Sequence, residues 1–209
     1  PWTLMERLQG ERDTLGQYLT GHPSDPYLQE FASIVVALRD LNPLKMKKVA
    51  VCGLVKSVRN VLTKRGKKLA IINIENADVN VDIVVFSELL ARHELQSGEI
   101  LIVEGDLDRD NFTGGNRIVA TSIYDVVAAR QRFLKCLVLK LSADDTELLP
   151  DLRSLFVAYR GKSVVQIKYK NTDAAAVINL GLNFRVCPSD DFIEMISTLL
   201  SKENVEFCY

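Results

Sequence analysis

Apolar residues follow three different rhythms along the chain. Up to about residue 45 they recur every three to four positions. Leu4, Leu8, Leu15 and Leu19 share one face, and Tyr27, Leu28, Phe31, Ile34, Val35 and Leu38 share a second, the spacing of an α-helix with one buried side. Between them, Gly21 stands as the residue past a helix end and Pro23 blocks continuation. Asp25-Pro26 restarts the helix as an N-cap followed by a proline whose missing N–H is not needed in the first turn. The pattern predicts two helices joined by a corner at "LGQYLTGHP", with Asn42-Pro43 ending the second.

From about 47 to 127 the period shortens to that of strands. "VAVCGLVKSVRNV" is a long β-branched run with Gly53 inside it, where a mid-strand glycine marks a sharp bend. "LAIINIE" and "VDIVVF" are two more strands, joined by "NADVN". "SELLARHELQSG" predicts a short helix, capped by Ser87 and stopped by Gly98. "EILIVEGDL" and "RIVATSIYDV" complete the set, joined by "DNFTGGN". Three strands, a short helix and two strands is the order of an OB-fold, a five-stranded Greek-key barrel.

From about 133 to 209 strands and helices alternate. "LKCLVLKLS" predicts a strand, followed by a helix capped by Ser142, begun late because of Pro150, and ended by Gly161. "SVVQIKYK" and "AAAVINLGLNFRV" predict a hairpin over "NTD". "PSDDF" starts a helix with Ser189 as N-cap and two acids at its positive end, and "NVEFCY" closes the segment. The order βαββαβ predicts a small α+β domain of split-βαβ type, with Phe184, Phe192 and Phe207 in its core. The expected organisation is therefore a helical link over residues 1–45, an OB barrel over 46–130 and a small α+β domain over 131–209.

Composition narrows the function classes. The 209 residues are 47% hydrophobic and 25% charged, with a net charge of −1. No global positive field exists, so any nucleic-acid surface has to be a local patch. No apolar run reaches the roughly 18 residues of a membrane span. The N-terminus lacks a signal peptide's shape, and the missing initiator Met reads as part of a longer chain. Cys52, Cys136, Cys187 and Cys208 are widely spaced; they are expected as reduced thiols, and with only two distant histidines no zinc site is expected.

The most informative chemistry is the basic turn Lys64, Arg65, Lys67 and Lys68, between the first two strands of the expected barrel. In an OB-fold that loop and the one between strands four and five flank the ligand face. Arg59 leads into the first loop, and Arg109, Asn111, Phe112 and Arg117 lie in or beside the second. Cations contact phosphates and Phe112 can stack on a base; the competing reading is a solvated hairpin tip. "DLDRDN" resembles the start of a calcium loop but has Asn111 where the sharp-turn glycine belongs and Arg117 where the bidentate glutamate belongs. His22 and His93 have no partners at a catalytic spacing: His22 is expected to bond helix-end carbonyls and His93 to lie on the surface. The paired acids Asp144-Asp145 and Asp190-Asp191 are explained by helix starts. No catalytic or metal-binding set is expected.

"ERDTLGQYLTGHPSDPY" resembles an E-[RK]-[ED]-x-L-G-x-Y-[LI]-[ST]-x-H-P element of the bacterial replicative DNA polymerase III alpha subunit family, matched at Glu11, Arg12, Asp13, Leu15, Gly16, Tyr18, Leu19, Thr20, His22 and Pro23. "VLTKRGKKLAIINIE" resembles the family's first OB hairpin, and "ILIVEGDLDRDNFTGGNRIVA" its strand four, loop and strand five. "FRVCPSDDF" resembles its late R-V-x-P-S-D element at Arg185, Val186, Pro188, Ser189 and Asp190. The chain departs from the pattern at Asn76-Ala77-Asp78, where a glycine is usual, and at the ending "EFCY".

The resemblance implies a non-catalytic C-terminal region of a cytoplasmic bacterial polymerase, with no cofactor of its own and the catalytic domains upstream. It implies single-stranded DNA as the ligand of the OB domain and the clamp-loader tau subunit as the partner of the last domain. The sliding-clamp motif is expected upstream, since Pro1 to Gly10 contains no match. Two other classes compete: an OB anticodon or RNA-binding module of a larger enzyme, and a protein-interaction module that binds no nucleic acid.

Overall fold

In the computed structural model, which describes residues 4–63, 66, 68–77, 79–110 and 114–209, helix α1 (Leu4–Leu15) ends earlier than its apolar rhythm suggested. Gly16 takes φ +74° and its N–H donates to the Arg12 carbonyl at 2.9 Å. That is the left-handed residue past a helix end, so the stop is at Gly16 and not at Gly21. Helix α2 (Asp25–Glu30) follows, with Ser24 at the N-cap position and Asp25 already inside the helix.

The second helix is much shorter than its apolar face predicts. Phe31 ends it and is fully buried. Beyond it the Val36 N–H donates to the Ala50 carbonyl at 2.8 Å, and Leu38 and Leu41 join the barrel core. These residues gain strand-type backbone bonding and a ready core, and tertiary burial overrides the helical period. The expected link thus falls in the same compact unit as the barrel, which runs to Asp125; a second unit spans Val126–Tyr209.

Five strands, β1 (Lys48–Leu62), β2 (Lys68–Asn76), β3 (Val79–Phe86), β4 (Ile100–Arg109) and β5 (Asn116–Tyr124), close a barrel in the order β1-β2-β3-β5-β4. The β3–β5 pair is parallel and the others are antiparallel. β1 serves both halves: Lys48–Leu54 pairs with β4 and Leu54–Leu62 with β2. Gly53 sits at the handover, where a Cβ would lie 2.9 Å from the Glu75 carbonyl oxygen; the close approach excludes a side chain. Alternate residues such as Ala70, Ile72 and Ile74 on β2, and Val81, Ile83 and Val85 on β3, fill the interior.

The helix between β3 and β4, α3 (Ser87–Leu90), is a single turn, with Phe86 at the cap position and Ser87 inside it. Turns follow it to Gly98, whose N–H donates to the Val55 carbonyl while the Val55 N–H donates to Glu99, both at 2.8 Å. Returning to β1 draws the chain off the helical path, and Leu89, Leu90 and Leu95 pack against the barrel core.

The second unit contains α4 (Val126–Phe133), β6 (Cys136–Ser142), α5 (Leu149–Ala158), β7 (Arg160–Ser163), β8 (Val165–Lys170), β9 (Ala175–Asn179), α6 (Asp190–Leu200) and β10 (Val205–Cys208). Its sheet has the order β10-β6-β8-β9. β6 pairs directly with β8 in parallel, so the sheet is not split. A split sheet would put β9 in the middle, but every residue of β9 is exposed, as suits an edge strand. The short β7 is an addition to the expected order. Gly161 lies within it, where a Cβ would collide with the backbone of Val186 and Cys187, and does not end α5.

Capping follows the sequence more closely. The Ser142 N–H and O–H donate to Asp145 Oδ2 at 2.6 and 2.7 Å, which holds that carboxyl below its usual range. Ser189 Oγ accepts from the Phe192 N–H at 3.3 Å. Arg130, almost fully buried, donates to the Pro188 carbonyl at 3.0 Å and to Asp190 Oδ1 at 2.7 Å. Phe192 is fully buried and Phe207 packs partly against the core, whereas Phe184 is exposed.

Candidate nucleic-acid interface

Side chains on a closed barrel alternate inward and outward, so the buried residues fix the identity of the outer ones. Cross-strand partners place Ser57, Asn73, Asp82 and Arg117 in one outer row over β1, β2, β3 and β5, and Arg59, Ile71, Val84 and Val119 in the next. A third row holds Val61, Leu69 and Phe86. The face therefore grades from a charged row to an apolar one, and ends at an aromatic ring.

Asp82 organises the charged row. Its Oδ1 accepts from Asn73 Nδ2 at 2.7 Å, and its Oδ2 lies 3.4 Å from Arg59 Nη2. Arg59 keeps most of its side chain in solvent, where such a pair contributes little stability. Arg117 lies opposite both Asp82 and Asp108 in register, yet its Nε is buried with no hydrogen-bond partner among the described residues. A buried guanidinium nitrogen without an acceptor is costly. Because that atom is shielded from solvent, a phosphate oxygen would reach it only after the covering side chains move aside.

Of the nine residues expected at the site, Arg59 and Arg117 share this face. Lys68 opens β2 where β3 ends, and Arg109 closes β4 where β5 begins, so these two mark opposite ends of the face. Lys64, Arg65, Lys67, Asn111 and Phe112 lie outside the described residues. The loop frames are tight: Gly66 takes φ +75° with its N–H donating to Thr63, and Gly114 takes φ +71° with its N–H donating to Asp110, both at 2.8 Å.

Phe86 is the residue that the sequence reading missed. It is half exposed and sits beside Leu69, with exposed Val61 on the far side of Leu69 in the same row. The signal was in "VNVDIVVF", where Val81, Ile83 and Val85 take the inward parity and leave Phe86 pointing out. An exposed ring at the end of an apolar strip can take the face of a base, while Arg59 and Arg117 address the backbone. Asp82 on β3, and Asp106 and Asp108 on the adjoining β4 opposite Val119 and Arg117, offset part of that positive charge.

His22 is outside this face and is buried. The Ser24 N–H donates to its Nδ1 at 3.2 Å, so Nδ1 is the unprotonated nitrogen of a neutral ring. Ser24 Oγ donates to the same atom at 2.7 Å. The Asn76 amide, with its nitrogen turned toward Ser24 Oγ at 3.1 Å, also donates to the Glu75 and Cys52 carbonyls. The ring thus fastens the α1–α2 corner to the barrel through side chains, in place of the expected bonds to helix-end carbonyls. Burial pushes its pKa down, against Asp25 and Glu75, which pull it up. His93 is half-buried in the turn after α3. Among the described residues no group of three or more His, Cys, Asp or Glu could hold a metal ion, and no helix is long and apolar enough to cross a membrane.

Residues 49–126 match the model of a tRNA anticodon-binding family described as an OB-fold nucleic acid binding domain. The DNA polymerase III subunit alpha of Escherichia coli O157:H7 is 35% identical over 99% of this chain, and that of Pseudomonas aeruginosa is 34% identical over 99%. The chain spans 18% of the length of each relative. Among solved structures, a single-stranded DNA binding protein from Thermus aquaticus is 19% identical, with a TM-score of 0.32, 38% of this chain and 40% of that chain being covered. With a closed five-stranded barrel and relatives at 29–35% identity along nearly its whole length, the chain is homologous to a segment of DNA polymerase III subunit alpha that contains an OB-fold domain.

Proposed function

We propose that the chain is a non-catalytic part of a replicative DNA polymerase of the bacterial cytoplasm, and that its barrel binds single-stranded template DNA. The observation that carries this reading is Arg117, whose guanidinium Nε has no partner among the described residues, on an outer face that also presents Arg59 and half-exposed Phe86. The strand would cross β1, β2, β3 and β5 between the two loops, its phosphates on the arginines and one base on Phe86. Lys64, Arg65, Lys67, Lys68, Arg109, Asn111 and Phe112 would extend the contacts at either end. Binding of this kind is sequence-tolerant and salt-dependent. Titration of a fluorescent oligonucleotide against the wild type and against Lys64→Glu/Arg65→Glu/Lys67→Glu/Lys68→Glu tests it. The variant is expected to bind more weakly with a flatter salt dependence; an unchanged slope removes the loop from the interface. A structured RNA competitor that displaces the DNA at lower concentration than DNA itself would favour the RNA-binding reading.

The second unit would tether the polymerase to the clamp-loader tau subunit. Support comes from β9, an edge strand with no charged residue from Ala175 to Asn179 and with Val177 and Ile178 both exposed. Natural edge strands are usually blunted by charge or proline, and this one is open to a partner's strand. Capture of purified tau by the full chain should be lost in Val177→Lys/Ile178→Lys; equal capture would place docking elsewhere.

A further inference from the structure

Cys136 opens β6 and Cys208 closes β10, and the two are direct partners across that antiparallel pair. Opposed residues in such a pair project from the same face, with Cα atoms about 4.5–5.5 Å apart, inside the roughly 4.4–6.8 Å that a disulfide spans. Both thiols are free and half-buried, and burial, helped by the neighbouring Cys208, raises the Cys136 pKa above its ordinary value. The remaining cysteines are placed differently. Cys52 is buried in β1, where desolvation pushes its thiol up to about 12. Cys187 precedes α6 and accepts from Gln131 Nε2 at 3.3 Å.

We propose that Cys136 and Cys208 are a redox modification site, closing a reversible disulfide that fastens β10 to β6, with a low-molecular-weight disulfide of the glutathione class as oxidant. The site lies in the second unit and rests on neither the nucleic-acid nor the tau reading. Burial raises the Cys136 pKa, against the pull of Lys168 and Lys135; either sulfur of the pair can enter first, and the exchange balances in the same way with the roles reversed. With Cys208 entering, its thiolate attacks one sulfur of the small disulfide, forming a mixed disulfide and expelling one small thiolate. That thiolate takes up the Cys208 proton. Cys136 then loses its proton to solvent base, attacks the Cys208 sulfur and expels the second small thiolate, which is protonated in turn. Two protein S–H bonds become one S–S bond, and the oxidant leaves as two thiols.

β10 gives the bond its consequence. It is an edge strand of four residues whose only strand partner among the described residues is β6. Glu206 adds ion pairs to Lys140 at 2.6 Å and Lys168 at 3.2 Å, both exposed enough to be weak. A covalent link at the strand's end would suppress its local opening.

The test treats the full chain with oxidised glutathione, then alkylates it under denaturing conditions and measures intact and peptide masses. The expected wild-type result is a loss of two hydrogens with no glutathione retained, alkylation confined to Cys52 and Cys187, and a peptide joining residues 136 and 208 that dithiothreitol separates. Cys136→Ser should keep one glutathione on Cys208. The oxidised wild type should melt at a higher temperature than the reduced protein, and Cys136→Ser should lose that difference. Four alkylatable thiols after oxidation, stable glutathione on the wild-type pair, or a link that involves Cys52 or Cys187 would each overturn the proposal.

Discussion

Arg117 and Phe86 separate the two kinds of contact that the barrel face offers. Removing one phosphate-binding cation lowers the slope of log affinity against log salt by about one. Arg117→Ala should therefore weaken oligonucleotide binding and flatten its salt dependence, while leaving the fold intact because its Nε has no partner to lose among the described residues. Phe86→Ala should weaken binding by about 1–3 kcal/mol, the usual worth of one stacked base, with the salt slope unchanged. Equal slopes for wild type and Arg117→Ala would take Arg117 out of the interface. Both residues could be found on the chain beforehand, but by different means. Arg117 was legible because it sits beside a loop expected to flank the ligand. Phe86 needed the parity of β3, which depends on knowing that Val81, Ile83 and Val85 all face one core.

Elements were legible where local pattern and tertiary demand agreed. The five barrel strands follow alternation that the core then uses, and Ser189 caps α6 as its position before two acids suggests. Agreement failed where a neighbour offered the backbone something better. The apolar face from Tyr27 to Leu38 has a helical period, yet Val36 bonds to Ala50 and Leu38 enters the barrel. The order of the sheet in the second unit was likewise hidden, since strand sequence does not state which strand becomes the edge. Two predictions belong to this scale. At Gly53, where the chain leaves β4 for β2, Gly53→Ala must push against the Glu75 backbone, so the melting temperature should fall by the equivalent of about 1–3 kcal/mol. At the α1–α2 corner, the folded-state pKa of His22 is depressed by burial. Unfolded chains then take up the proton first, so the ring's contribution is present above the ordinary histidine pKa of about 6.5 and is lost as pH falls through the depressed value. Melting temperatures measured from pH 8 down to pH 5 should decline more steeply in the wild type than in His22→Gln; parallel curves would discharge the histidine of that role.

At the scale of the molecule, the two units keep separate cores, and the two proposed activities are divided between them. Oligonucleotide titration of Val177→Lys/Ile178→Lys should match the wild type, and tau capture by Arg117→Ala should match it too; cross-effects would show that the units do not act independently. The strand order also sets a schedule for synthesis. Residues 48–53 of β1 meet their partner strand only when β4 arrives at Ile100, and β3 meets β5 only near Arg117. A ribosome has therefore to release nearly the whole first unit before the barrel can close. Until then, the apolar faces of β1, β2 and β3 stay open to solvent or to a chaperone. Non-local pairing of this kind is slow to fold, so pausing of translation before residue 117 should prolong the interval in which the nascent chain can be captured.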